Sequence, residues 1–183
     1  MDRKGLIRKK FFLKRKTKYF DISEKYFLPL INLIKKKFIN KKKNISLYYP
    51  NSYEINIFRI FDVEYFKYCN YSLPIIEKEK EMNFYKWKKN EILVLNKYGI
   101  PEPLKTKKIV PNIVLVPLLA FDKHKNRIGY GKGFYDKYLN KYLKIYKNIL
   151  TVGVAFSFQK SHNLPVNKKD FRLNYILTEK GIF

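Results

Sequence analysis

Cysteine occurs once, at Cys69, and histidine twice, at His124 and His162. A disulfide within the chain is therefore impossible, and a zinc centre built from several thiolates and imidazoles lacks the ligands it needs. Alanine occurs only at 120 and 155, and arginine supplies six of the 40 basic side chains. Glycine is limited to seven positions, so any place where glycines gather carries information. No run approaches the roughly 18 apolar residues that a membrane-spanning helix needs. Phe11-Phe12-Leu13, behind a basic start, is too short for the apolar core of a secretion signal. These absences lead to the expectation of a cytoplasmic protein without a membrane partner.

What remains is rich in Lys, Asn, Ile, Tyr and Phe, with 46% apolar and 17% aromatic residues in 183. A chain of that length can bury a sizeable core without disulfides, and it favours one domain over 1–183. The net charge is +25, from 40 basic and 15 acidic residues. The abundant residue types share A/T-rich codons, so compositional drift on the solvent face accounts for the charge. A nucleic-acid-binding surface is the competing account, but such surfaces rely on arginine for bidentate contacts and this chain has little.

Residues 3–18 carry Lys or Arg at almost every other position around a narrow stripe of Leu6, Ile7 and Phe11, which predicts a helix. Asp21-x-x-Glu24 resembles a capping box and predicts a second helix running to about Asn40, kinked at Pro29. Ile45 to Tyr49 reads as a strand stopped by Pro50, and the apolar positions 57, 58, 60, 61 and 65 predict a helix from Glu54 to about Lys67. Strands are expected at Leu73–Ile76, Met82–Trp87, Ile113–Pro117, Leu150–Phe156 and Tyr175–Leu177, with a rigid loop at Gly99–Pro103. Phe134, Tyr135, Tyr138, Leu139, Tyr142, Leu143 and Tyr146 form a helical stripe. The alternation predicts an α/β fold: a largely parallel central sheet with helices on both faces.

Three of the seven glycines stand at 129, 131 and 133, between a buried strand and an amphipathic helix. Glycines there let the chain turn tightly and aim several N–H groups at one anion, and the helix start adds its positive end. Arg127 and Lys132 add full charges, so the segment reads as a phosphate cradle. It is neither a dinucleotide fingerprint, since Phe134 stands where that pattern needs glycine, nor a Walker loop, since Gly133 follows Lys132. A glycine-rich turn without a ligand is the alternative. Asp136, in the first turn of the following helix, suits Mg²⁺ beside phosphates; favourable interaction with the helix dipole explains it equally well.

The run Pro117-Leu118-Leu119-Ala120-Phe121-Asp122, continued by Asn126-Arg127-Ile128-Gly129-Tyr130-Gly131-Lys132-Gly133-Phe134-Tyr135-Asp136, resembles the 5-formyltetrahydrofolate cyclo-ligase family (5,10-methenyltetrahydrofolate synthetases). Lys4-x-x-x-Arg8, Glu54, Gly99–Pro103 and Leu164–Asp170 resemble further parts of that family. Asn112 replaces an acidic residue frequent there, and Tyr130 and Phe134 replace Arg and Tyr of some members; 62–95 is poorly matched.

The resemblance implies conversion of 5-formyltetrahydrofolate and ATP to 5,10-methenyltetrahydrofolate, ADP and phosphate, with Mg²⁺. It places ATP on Lys4, Arg8, Arg127, Ile128, Gly129, Tyr130, Gly131, Lys132, Gly133, Phe134 and Tyr135, with Arg127, Lys132 and Tyr135 in the chemistry. It places the folate, polyglutamated forms included, against Arg8, Tyr49, Glu54, Tyr130, Gly131, Lys132, Gly133 and Phe134. Asp136 and Asp170 become the metal carboxylates. A monomer is expected. A relative of the same fold that binds ATP beside a different substrate is the principal alternative, and a basic nucleic-acid-binding protein the second.

Overall fold

A computed structural model describes residues 2–39, 41–77 and 81–183. Among the described residues the α-helices are α1 (Arg3–Lys18), α2 (Leu28–Lys37) and α3 (Phe134–Tyr142). The strands that form the main sheet are β1 (Asn44–Ser46), β2 (Asn70–Ile76), β3 (Met82–Trp87), β6 (Lys108–Ile109), β7 (Ile113–Pro117), β10 (Leu150–Val154), β11 (Tyr175–Thr178) and β12 (Gly181–Ile182). Two short ribbons stand apart: β4 (Leu93–Leu95) with β5 (Pro101–Pro103), and β8 (Ala120–Phe121) with β9 (Arg127–Ile128).

The main sheet runs β12-β11-β10-β7-β1-β2-β3-β6. Its centre, β11-β10-β7-β1-β2, is parallel, and β12, β3 and β6 add antiparallel edges. β7 is the middle of this arrangement, with Ile113 opposite Ile45 on one side and Leu150 on the other. Its side chains alternate between two cores. Ile113 and Leu115 join Leu30, Ile31 and Ile34 of α2 on one face; Val114 and Val116 join Tyr138 and Leu139 of α3 on the other. Leu115 and Val116 are both fully buried, each removal from water being worth about 2 kcal/mol. The α/β expectation with helices on both faces is met. No helix among the described residues is long and apolar enough to cross a membrane.

α1 is capped by the Asp2 carboxylate, which accepts from the Gly5 N–H. It rests outside the sheet on a third, smaller cluster: Phe11 with Leu119, Ala120, Ile128 and Leu164. The expected stripe is partly wrong here, because Leu6 is 56% exposed. The inward line is instead Lys4, Arg8, Phe11 and Arg15, spaced by three and four, and Arg15 is as buried as the core.

Other expectations are corrected. Asp21 does not cap a helix: its carboxylate takes the Tyr19 hydroxyl, a 3-10 turn covers Glu24–Phe27, and α2 starts at Leu28. Pro29 therefore stands at the first turn of α2, where a missing N–H costs nothing, and causes no kink. The expected end at Asn40 lies outside the described residues. The helix expected over 54–67 is two 3-10 helices, Ile57–Asp62 and Glu64–Phe66. Ile57 and Ile60 point into the core and Phe58 and Phe61 pack on Trp87, so the working period is three, that of a 3-10 helix. Part of the expected loop at 99–103 is strand β5, and the helical stripe beyond Tyr142 continues only as turns.

Candidate active site

The segments leaving the carboxyl ends of β1 and β7 meet, as ligand sites do in open α/β sheets. The first runs from Leu47 through Glu54. The second passes through the β8–β9 ribbon into the 129–133 loop and α3.

The loop takes its shape from two left-handed residues, Gly131 at φ +99° and Gly133 at φ +71°, the latter being the N-cap of α3. A side chain at 131 would also collide with a neighbour, since its Cβ would stand 3.2 Å from Arg8 Cζ. Arg8 is held there by its Nε, which donates to the Gly129 carbonyl at 3.0 Å. Lys132 is exposed and reaches over the Tyr98 ring at 5.5 Å; Tyr98 in turn meets Phe134 at 6.2 Å between ring centroids. Tyr98, on the turn joining β4 to β5, is a wall of this region that its sequence neighbourhood does not advertise. Ile128 is buried, and its carbonyl takes the Leu119 N–H, so it supports the loop from below.

Two carboxylates stand beside the loop. Asp136 Oδ1 accepts from Arg127 at 2.7 Å and from the Phe171 N–H at 3.0 Å. The Arg127 side chain is 4% exposed, so this pair is buried on the cation's side. Asp170 Oδ2 accepts from Lys4 Nζ and from the Asn167 N–H. Asn140, one turn beyond Asp136, donates to the Lys169 carbonyl at 2.9 Å and ties α3 to the Asp170 segment. Asp136 Oδ2 and Asp170 Oδ1 accept no hydrogen bond among the described residues.

On the other side lies a cleft of about 460 Å³, walled by Tyr19, Tyr49, Tyr53 and Phe58, with Glu54 at its edge. Tyr49 and Phe58 meet edge-to-face at 5.5 Å. Ser52 and Tyr53, at φ +51° and +62°, occupy the left-handed region without being glycine, which costs roughly 1–3 kcal/mol each and clusters at binding sites. Glu54 Oε2 accepts from the Asn51 N–H at 2.9 Å. Burial raises the Glu54 carboxyl to about 7, against the pull of that N–H, of Arg15 and of the Tyr130 hydroxyl.

Tyr130 links the two halves. Its residue is 45% exposed, while its hydroxyl meets buried Arg15 and Glu54. Burial and the Glu54 charge raise its hydroxyl well above the tyrosine range. The Tyr135 hydroxyl is enclosed and unpartnered among the described residues; burial and Glu54 raise its pKa while Arg127 opposes them. That hydroxyl faces the interior, while the residue as a whole is half-buried.

The structure thus gathers Arg8, Tyr130 and the glycines with the 51–54 loop, and Lys4, Arg127, Asp136 and Asp170 into paired charges nearby. Sequence reasoning did not single out Arg15 or Tyr98. For Arg15 the signal was present: it continues the 4-8-11 spacing.

A parallel sheet with helices on both faces and a glycine-rich strand-to-helix loop at its carboxyl edge defines the α/β class that binds ligands at that edge. A family model described as the 5-formyltetrahydrofolate cyclo-ligase family matches residues 3–179, and the chain belongs to that family of enzymes. The 5-formyltetrahydrofolate cyclo-ligase of Haemophilus influenzae is 32% identical over 154 residues, covering 80% of each chain. That of Mycoplasma genitalium is 30% identical over 179 residues, 95% of this chain and 96% of its own. The NMR structure of Aquifex aeolicus 5,10-methenyltetrahydrofolate synthetase superposes with a TM-score of 0.72 at 30% identity, covering 98% of this chain and 91% of that one.

Proposed function

We propose that this chain, acting as one domain over 1–183, uses ATP and Mg²⁺ to cyclise 5-formyltetrahydrofolate, polyglutamated forms included, to 5,10-methenyltetrahydrofolate, releasing ADP and phosphate. The observation that carries the proposal is the bridge that Arg15 makes between Tyr130 of the 129–133 loop and Ser52 of the 51–54 loop, beside the aromatic cleft. The activity for which those relatives are named supplies the substrates. We place the enzyme in the cytoplasm and expect a monomer.

The first half of such a reaction is phosphoryl transfer, which asks the protein for positioning and charge neutralisation. The N–H groups of the 129–133 loop, the start of α3 and Lys132 hold phosphate oxygens, with Lys4 and Arg8 completing the cationic rim. Lys132 has no ion-pair partner among the described residues, so it can follow the γ-phosphate as charge moves. Tyr49, Tyr130 and Phe134 flank the flat pterin, and Glu54 accepts its N–H donors at the edge of the cleft.

The formyl oxygen attacks the γ-phosphorus and ADP departs. The neighbouring amine nitrogen of the folate then attacks the formyl carbon and gives up its proton to water, and phosphate leaves with that oxygen. No protein nucleophile is needed. Arg127 works through Asp136, whose orientation it fixes.

The carboxylates suit Mg²⁺, which is typically held by one or two carboxylates plus phosphate and water oxygens. Asp136 and Asp170 each keep one oxygen without a hydrogen-bond donor among the described residues, so each can serve directly or through water. Bound there, the ion supplies neutralisation of the triphosphate charge.

The test is purified protein with 5-formyltetrahydrofolate and Mg·ATP, followed by the near-UV band of the methenyl product. ATP-dependent growth of the band is expected. A flat trace from folded protein that binds ATP overturns the folate assignment, and failure to bind ATP overturns the phosphate cradle.

A further inference from the structure

Arg15 is 1% exposed, although it sits on the most cationic helix of the chain. Its guanidinium donates to three acceptors from three segments: the Leu118 carbonyl at 3.4 Å, just past β7; the Ser52 carbonyl at 2.5 Å, in the strained loop; and the Tyr130 hydroxyl, in the glycine loop. The guanidinium carbon also lies 5.5 Å from the Tyr130 ring centroid. Its Nε is buried without a partner among the described residues.

That is an expensive way to fill space. Burying a guanidinium costs several kcal/mol, and an unsatisfied donor adds to it, so an apolar side chain serves simple packing better. The Leu118 carbonyl does not need Arg15 either, since Gln159 already donates to it at 2.8 Å. The contacts that only Arg15 makes are those to Ser52 and Tyr130. Ser52 and Tyr53 are consecutive residues in left-handed backbone, and Glu54 follows directly. Tyr130 is the one residue of the glycine loop whose side chain meets Glu54.

We propose that Arg15 is a positioning residue that locks the 51–54 loop, and with it Glu54, onto Tyr130, setting the spacing between the folate side and the nucleotide side of the site. This rests on the folate reading above. A planar fork can hold two acceptors in fixed directions, and the point charge of lysine cannot. Misplacing reacting groups by about 1 Å can cost ~10²-fold in rate, so the lock matters to the reaction more than to folding.

The test uses Arg15→Lys, Tyr130→Phe and the double variant, each checked for a cooperative melt. Amide hydrogen exchange on the free protein is expected to rise at least ~10-fold over 51–58 in Arg15→Lys and by less in Tyr130→Phe, with α3 unchanged. KM for 5-formyltetrahydrofolate rises ~10-fold or more in Arg15→Lys while ATP affinity stays within ~3-fold, and the double variant loses little beyond Arg15→Lys because the two residues act as a unit. Unchanged exchange over 51–58, or losses in the two single variants that simply add, overturns the proposal. If Arg15→Lys does not fold, Tyr130→Phe decides alone: faster exchange over 51–58 with raised KM supports the lock, and no change in either overturns it. A wild-type protein that makes no methenyl product defeats the folate reading, and the exchange measurement still decides whether Arg15 holds the loop.

Discussion

Arg127, on the strand that enters the glycine loop, donates at 2.7 Å to Asp136, in the first turn of the helix that leaves it. The pair closes the loop at its base. Arg127→Ala leaves Asp136 with the Phe171 N–H and exposes an uncompensated charge, so it destabilises by about 2–3 kcal/mol, the usual worth of a charged hydrogen bond in partial burial. Urea denaturation measures this, and a loss below about 0.5 kcal/mol contradicts the structural part of the pairing.

Lys132 behaves oppositely. It is exposed, reaches over the Tyr98 ring and has no ion-pair partner among the described residues, so Lys132→Ala changes stability by no more than about 0.5 kcal/mol. Turnover with Mg·ATP falls by ~10²-fold or more, the cost of removing one charge-stabilising group. Steady-state kinetics beside a thermal melt separates the two effects.

Gly131→Ala forces a Cβ to 3.2 Å from Arg8 Cζ at φ +99°, where side chains are strained. Arg8 must then give way by a few tenths of an ångström, which strains its 3.0 Å bond to the Gly129 carbonyl. A weakening of ATP binding by ~10-fold or more is expected, read by calorimetry without folate, because backbone and guanidinium must both shift.

Glu54 has a folded pKa of about 7 against an ordinary 4.5. Below about pH 4.5 the group is protonated in both states and costs nothing. As pH rises to about 7 the unfolded chain releases the proton first, so stability falls, by up to ~3 kcal/mol. Chemical denaturation across pH 4.5–7.5 shows the slope, and Glu54→Gln flattens it. A wild-type profile already flat contradicts the shifted carboxyl. Folate binding through the ionised form strengthens over the same interval in the wild type and not in Glu54→Gln.

Asp136→Asn and Asp170→Asn raise the Mg²⁺ concentration needed for half-maximal ATP binding by ~10-fold each, while ATP binding in chelator is unchanged or stronger, since in each variant one carboxylate fewer repels the triphosphate. Titrations with and without Mg²⁺ check both signs.

The longer strands were legible as apolar runs, as at Ile113–Pro117, and α3 by its stripe, while the two-residue edge strands β6 and β12 were too short to show a pattern. The glycine loop was legible because three of seven glycines fall at alternate positions. The segment 54–67 was misread because its apolar residues fit a helix and a three-residue period alike, and packing of Phe58 and Phe61 on Trp87 decides between them. Arg15 escaped because burial of one cation among many is fixed by partners over a hundred residues away, Leu118 and Tyr130. The Arg127–Asp136 pair was hidden for a different reason: each residue was plausible as a ligand contact, and only the fold shows them facing one another.

Lys4 and Asp170 touch across 166 positions of chain. During synthesis the cationic face of α1 leaves the ribosome long before its partner, and cannot be neutralised by it until residue 170 has emerged. The pairing of the two ends of the chain therefore comes late, and no growing chain shorter than that presents both Asp136 and Asp170.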